Sequence, residues 1–173
     1  MEIKDKQSLE IKKSDISGNG IFTKNKIKKG EIIYFLDGEL CTLDEIIRRI
    51  NEGKEKLFDP LQVGDEEYLD LDEISRTFNH SCGPNAYIKE KNNLIALRNI
   101  LPSEEITYDY STTMNDNEEK IINAGQEIWA CKCNCGSKKC RGIINQFKTL
   151  SIITKKFYIS NKFMPDFMLK KFG

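Results

Sequence analysis

The chain has 173 residues, 39% hydrophobic and 31% charged, enough for a single domain with a sizeable core. Its 27 Lys and Arg balance 27 Asp and Glu, so no overall basic field argues for direct nucleic-acid or membrane binding. No apolar run approaches the ~20 residues of a membrane helix, and the polar start MEIKDKQSLEIKK does not read as a signal peptide. A reducing intracellular setting, cytoplasmic or nuclear, follows as the expectation, with the six cysteines as thiols or metal ligands rather than disulfides.

In chain order, Leu9 and Ile11 alternate with charged residues and predict an edge strand toward Ser14. Ser17-Gly18-Asn19-Gly20 makes a turn, Ile21-Phe22 opens an apolar segment, and Lys28-Lys29-Gly30 turns the chain into a strand over 31–36. Thr42 and Glu45 predict a capping box for a helix whose apolar face is Leu43, Ile46, Ile47 and Ile50, ending at Gly53. Short strands return at 61–63 and 68–71 around Gly64-Asp65, and again at 86–89 and 94–98 as a hairpin across Asn92-Asn93. Residues 106–110 predict a further strand, on which Tyr108 and Tyr110 face one side. Residues 112–127 are acidic, Asn-rich and poor in apolar grouping, and read as a mobile linker. Beyond the cysteines, Leu150, Ile153 and Phe157 stand at helical spacing, and Pro165 opens a last helical turn. The expected class is mostly β with short helices.

Between these elements, residues 76–85 hold the only His, two Asn, a Cys and a Pro, too many turn-forming groups for a helix or strand. This is a built loop of the kind that carries function. By itself His80 reads as a hydrogen-bonded structural histidine. A nucleophilic Cys82 is disfavoured, because residues two apart rarely align as nucleophile and base.

Cys133, Cys135 and Cys140 fall within eight residues, with Gly136 for a tight turn and Lys138 and Lys139 to offset charge, which suits tetrahedral zinc. The bland reading is three free surface thiols. A closed site needs a fourth ligand, for which Cys82, Cys131 and Cys41 are the candidates. The glycine turn lacks the third glycine of a dinucleotide fingerprint and leads into a strand. It is either a plain hairpin turn or a place where bare backbone approaches a ligand. The Tyr108–Tyr110 pair reads equally as an aromatic pair stabilising a sheet.

Taken in order, Gly18-Asn19-Gly20, Asn79-His80-Ser81-Cys82-Gly83-Pro84-Asn85, Glu105-Ile106-Thr107-Tyr108-Asp109-Tyr110 and Cys133-Asn134-Cys135 through Cys140-Arg141-Gly142 resemble a SET-domain protein lysine methyltransferase. The resemblance covers about residues 10–145. It implies small curved sheets of the β-clip type with a knot-like crossing of the Asn-His segment beside the catalytic strand. It divides the chain into a SET domain over 1–127, a zinc-binding post-SET segment over 128–145, and a partly helical C-terminal extension over 146–173.

The same resemblance implies S-adenosyl-L-methionine at Gly18, Asn19, Gly20, Arg76, Asn79 and His80. It implies zinc on Cys82, Cys133, Cys135 and Cys140, and leaves Cys131 and Cys41 unassigned. Tyr110 corresponds to the catalytic tyrosine, and Tyr108 to the position that limits how many methyls are added. The implied partner is a protein or peptide lysine, such as one on a histone, met by a monomeric enzyme that adds mainly one or two methyls. Phe35-Leu36 stand where many relatives have Glu-Tyr. Tyr34 is two residues, ~6.6 Å, from replacing that hydroxyl, and Tyr68 is an alternative wall of the lysine channel. The competing class is a catalytically silent, zinc-stabilised peptide-binding module.

Overall fold

The computed structural model describes residues 8–56 and 59–173. The start of the polar leader, residues 1–7, lies outside them. Among the described residues the chain runs β1 (Leu9–Lys13), β2 (Asn19–Thr23), β3 (Ile32–Phe35), β4 (Gly38–Thr42), α1 (Leu43–Asn51), β5 (Leu61–Gln62), β6 (Glu67–Leu71) and β7 (Asn79–His80). It continues through β8 (Ala86–Lys89), β9 (Asn93–Ala96), β10 (Thr107–Tyr108), α2 (Glu118–Asn123), β11 (Cys131–Lys132), β12 (Ile143–Ile144), α3 (Ile152–Asn161) and α4 (Asp166–Phe172).

The strands form several small sheets rather than one large one. β1 and β2 are an antiparallel pair, β3-β9-β8 and β4-β6-β5 are three-stranded sheets, and β11 pairs with β12. The exception in direction is β10, which runs parallel to β7 with Thr107 opposite Asn79 and Tyr108 opposite His80. A parallel pair needs a long crossover. Here the β8–β9 hairpin supplies it, so the Asn-His segment lies beside the strand expected from its sequence to be catalytic.

The main core lies between these sheets. Ile27, Ile33, Leu36, Phe78, Ile88, Leu94, Ile100 and Ile106 are completely buried in it. Each such side chain contributes about 2 kcal/mol of burial, and Phe78 places this core directly behind the Asn-His loop. Tyr34 packs on Phe78 at 5.4 Å between ring centroids and belongs to the core.

Two local expectations are changed. Thr42 caps α1 by accepting from the Glu45 amide at 3.3 Å, but the Glu45 carboxylate turns to Arg48 and Arg49. The hairpin turns at Glu90–Asn92, with Glu90 in the left-handed region, and Asn93 already pairs with Lys89.

The acidic stretch 112–127 contains more structure than its composition suggests. A 3-10 turn spans Tyr110–Thr113, Asn117 caps α2 through the Lys120 amide, and Ile121 is buried against Leu43, Ile46, Ile47 and Tyr68. Ala124 and Ile128 pack beside Ile121, and Lys120 pairs with Asp44 and Glu66, so a short helix with one buried isoleucine is held in place. In the C-terminal extension, Leu150 is buried but Ile153 is 83% exposed and Phe157 half-exposed. The packed residues of this region are instead Tyr158 of α3, Met164 of the connection and Met168 of α4, with Phe147.

Candidate active site and metal centre

A cleft of about 370 Å³ runs from Ile16-Ser17 past Arg76, Asn79 and His80 to Tyr108, Tyr110 and Trp129, and on to the apolar face of α1. It brings together Arg76, Asn79, His80, Tyr108, Tyr110 and Cys133, which the sequence lists in separate motifs.

The glycine turn is tied to this cleft through Asn79. The Asn79 side-chain amide donates to the carbonyls of Ser17 and Asn19 at 3.1 and 2.9 Å, and to the Glu105 carboxylate at 2.8 Å. Ser14 also donates to that carboxylate at 2.9 Å. A Cβ on Gly20 would collide with Glu105, so this glycine is required for close approach, while Gly18 supplies the left-handed turn at φ +48°. Glu105 opens the strand motif read from the sequence, but that motif assigns it no role as anchor of the glycine turn. Ser14 and Glu105 are 91 positions apart, and neither has a local pattern to mark it.

Arg76 lines the cleft but is engaged by protein groups. It donates to the Leu71 carbonyl and pairs with Asp70, and it lies 3.4 Å from both Glu55 and Asp59. These carboxylates fix the guanidinium before any ligand arrives.

Tyr108 and Tyr110 stack at 4.8 Å between centroids even though β10 ends at Tyr108. The Tyr110 hydroxyl donates to the Phe78 carbonyl at 2.6 Å, and its amide donates to His80 Nδ1 at 3.1 Å. Burial raises both phenols well above their ordinary range, with Cys131, Asp59 and Glu105 adding to the effect at Tyr110. Both remain neutral hydroxyls. Tyr68 also lines the cleft, and its hydroxyl donates to Asp116 at 2.7 Å.

The ligand atoms of His80, Cys82, Cys133 and Cys135 lie within 4.8 Å of one another. Cys82 Sγ is 3.3 Å from His80 Nε2 and 3.7 Å from Cys133 Sγ. It also accepts from the Arg141 amide at 3.4 Å. His80, expected on the cofactor side, therefore also faces the sulfurs. Cys140, expected as a ligand, is exposed and outside this group of four, although its thiol donates to the Cys133 carbonyl at 3.8 Å and accepts from the Gly142 amide at 3.5 Å.

Burial lifts Cys82 to about 11 and raises Cys133. At Cys135 burial acts in the same upward sense, but the amides of Cys82 and Ser137 outweigh it and hold the thiol down to about 7. Burial likewise pushes His80 down to about 4, against the attraction of Asp109. A buried set of thiols with amide donors aimed at sulfur is the chemistry of a thiolate metal site, and it fits zinc. Cys131 packs against this cluster, and Cys41 is a small apolar residue under α1.

The sequence model of the SET domain matches residues 18–111. The chain is 31% identical over 158 residues to histone-lysine N-methyltransferase 2B of Homo sapiens, covering 81% of this chain and 5% of that protein. It is 27% identical over 180 residues to histone-lysine N-methyltransferase SETMAR of Bos taurus, covering 86% of this chain and 56% of the relative. Among solved structures, a humanized mutant of the Chaetomium thermophilum Polycomb Repressive Complex 2 bound to an inhibitor superposes with a TM-score of 0.54. That likeness covers 61% of this chain and 15% of the other at 23% identity, and it concerns the fold. The chain thus spans about a twentieth of the first of these relatives.

Proposed function

Because the chain belongs to the SET-domain family, we propose that it transfers methyl groups to the side-chain amine of a lysine in a protein substrate, a histone being the first candidate. The observation that carries this reading is the parallel β7–β10 pair, which sets Asn79 and His80 beside Tyr108 and Tyr110 in one cleft. Trithorax-type and SETMAR relatives are named as histone-lysine methyltransferases, which supports the same choice of substrate.

The residues present fit S-adenosylmethionine: Ser17, Arg76, Asn79 and His80 line the cleft with polar side chains and backbone groups, while Gly20 lets the glycine turn close onto Glu105 behind them. Gly18 and Asn19 are not among the lining residues and belong to the turn that Asn79 holds beside them. The cofactor supplies an electrophilic methyl on a sulfonium. The chain must present a neutral amine, whose reference pKa is ~10.4. Entry into a water-poor cleft disfavours the ammonium. Tyr110, pinned at its amide and its hydroxyl, holds the amine in line, which is orientation rather than proton transfer. The Tyr108 hydroxyl occupies space beside it, so mono- and dimethyl products dominate. At its other end the cleft is walled by Leu43, Ile46, Ile47 and Ile50 of α1.

Zinc is held by Cys82, Cys133, Cys135 and Cys140 in this reading. Nδ1 of His80 accepts from Tyr110, so Nε2 carries the proton. A protonated nitrogen cannot ligate a metal. It donates instead to Cys82 Sγ and stabilises a thiolate, which leaves the fourth position to Cys140.

Incubation of the zinc-loaded protein with labelled cofactor and core histones tests the assignment. Tyr110→Phe is expected to lower the rate about a hundredfold. A wild-type protein that labels neither histones, other basic proteins nor itself overturns the reading in favour of a silent binding module.

A further inference from the structure

Asp109 stands between the two tyrosines, 1% exposed, and its carboxylate is saturated by donors from two distant parts of the chain and from its own turn. Oδ1 accepts from Arg141 Nη2 at 2.7 Å and the Ser111 amide at 3.1 Å. Oδ2 accepts from Arg141 Nη1 at 2.7 Å and the Tyr158 hydroxyl at 2.8 Å. Arg141 follows Cys140 in the cysteine segment, and its amide also donates to Cys82 Sγ. Tyr158 belongs to α3, beyond the residues that match the family.

A buried ion pair is a poor way to gain stability, since apolar side chains of similar volume serve as well or better. Its value is that it fixes one arrangement. Arg141 supports this view: its Nε is buried without a hydrogen-bond partner among the described residues, so the guanidinium is oriented for the bidentate grip at the expense of one donor. The anchor of α3 is rigid. Phe163 packs on Tyr87 at 4.6 Å, the Asp166 amide donates to the Glu90 carbonyl at 3.0 Å, and Met164 and Met168 are fully buried. Asp109 also caps the turn that Tyr110 opens. A displacement of the carboxylate therefore moves the backbone that carries the Tyr110 ring.

We propose that Tyr158, acting through Asp109 and Arg141, is a positioning residue by which the C-terminal helices set the orientation of Tyr110 and hold the cysteine segment against the cleft. The catalytic part of this inference rests on the methyl-transfer reading, and the holding part does not.

Tyr158→Phe keeps the buried ring and removes only the hydroxyl. The test measures kcat and KM on core histones, the melting temperature, and acrylamide quenching of Trp129. Trp129 is the single tryptophan, with its ring 6.5 Å from that of Tyr110. The expected result is a kcat lower by about tenfold with KM within about twofold, since small misplacements act on orientation. Quenching of Trp129 rises while the melting temperature barely moves. Arg141→Lys, which loses the planar fork, gives the same pattern more strongly. Unchanged kcat and quenching in both variants overturn the proposal, as does an activity loss that follows melting and disappears on cooling. A wild-type protein without activity whose Trp129 still responds removes the methyl-transfer reading and leaves the joint standing.

Discussion

The parallel pair β7–β10 and the antiparallel pair β11–β12 are both two residues long, and they are held by different means. Around β7–β10 the support is buried amide chemistry. Asn79 gathers three acceptors, and Asn85 donates to the Glu105 carbonyl at 2.7 Å while accepting from the Thr107 amide at 2.9 Å. Around β11–β12 the core is Cys82, Cys133 and Ile144, with Trp129, Cys131 and Cys135 partly buried beside it. The first region is complete in its own hydrogen bonds. The second closes on sulfur, and it supplies one wall of the cleft.

Metal removal separates the two regions most sharply. A strong chelator is expected to abolish methyl transfer and to speed amide exchange across 128–145, while β3, β8 and β9 keep their protection. Loss of protection in both regions together would show that the core also depends on metal, and full activity without metal would end the zinc assignment.

Asn85→Ala strikes the other region. It leaves the Glu105 carbonyl and the Thr107 amide without their partner, at a cost of about 3 kcal/mol, measurable as a lower urea midpoint with bound zinc retained. A change under about 0.5 kcal/mol would mean that other groups satisfy them.

His80 belongs to both regions, and its titration probes their junction. The folded value is about 4, below the ~6.5 of an unfolded chain. Below ~6.5 the unfolded state takes up a proton that the folded state refuses, so stability falls as pH drops from ~6.5 toward 4, by about 3 kcal/mol in total. His80→Asn should flatten that part of the stability profile. A wild-type profile level over that range would show that His80 is charged when folded.

The smallest effect concerns product rather than rate. Tyr108→Phe should shift the methylation products toward trimethyl-lysine in a mass-spectrometric time course, with stability changed by about 1 kcal/mol or less. An unchanged product distribution would mean that another group limits the space beside the amine.

The motifs were legible because each uses residues whose chemistry is local. Thr42 caps α1, Gly18 turns the chain, and Cys133 and Cys135 are close enough in sequence to meet in one cluster. Short strands followed from apolar runs bounded by turn residues, and their arrangement in small sheets from the family resemblance. The opposite holds for α2, which polar composition concealed because its single fully buried side chain is Ile121 and the rest of its attachment is polar, through Lys120 to Asp44 and Glu66. It holds also for α3, where Ile153 and Phe157 had the spacing of a packed face but Tyr158 faced inward.

The sequence by itself determined which chemistry is available: a glycine turn, an Asn-His loop, a pair of tyrosines and a cluster of thiols, in an order specific to one family. Tertiary structure decided how these are wired. Glu105 became the anchor of the glycine turn, His80 turned toward the sulfurs as well as the cleft, and Asp109 joined three segments through one carboxylate. Such links depend on side chains 32 to 91 positions apart meeting in a buried place, and no local pattern encodes a meeting that only packing creates.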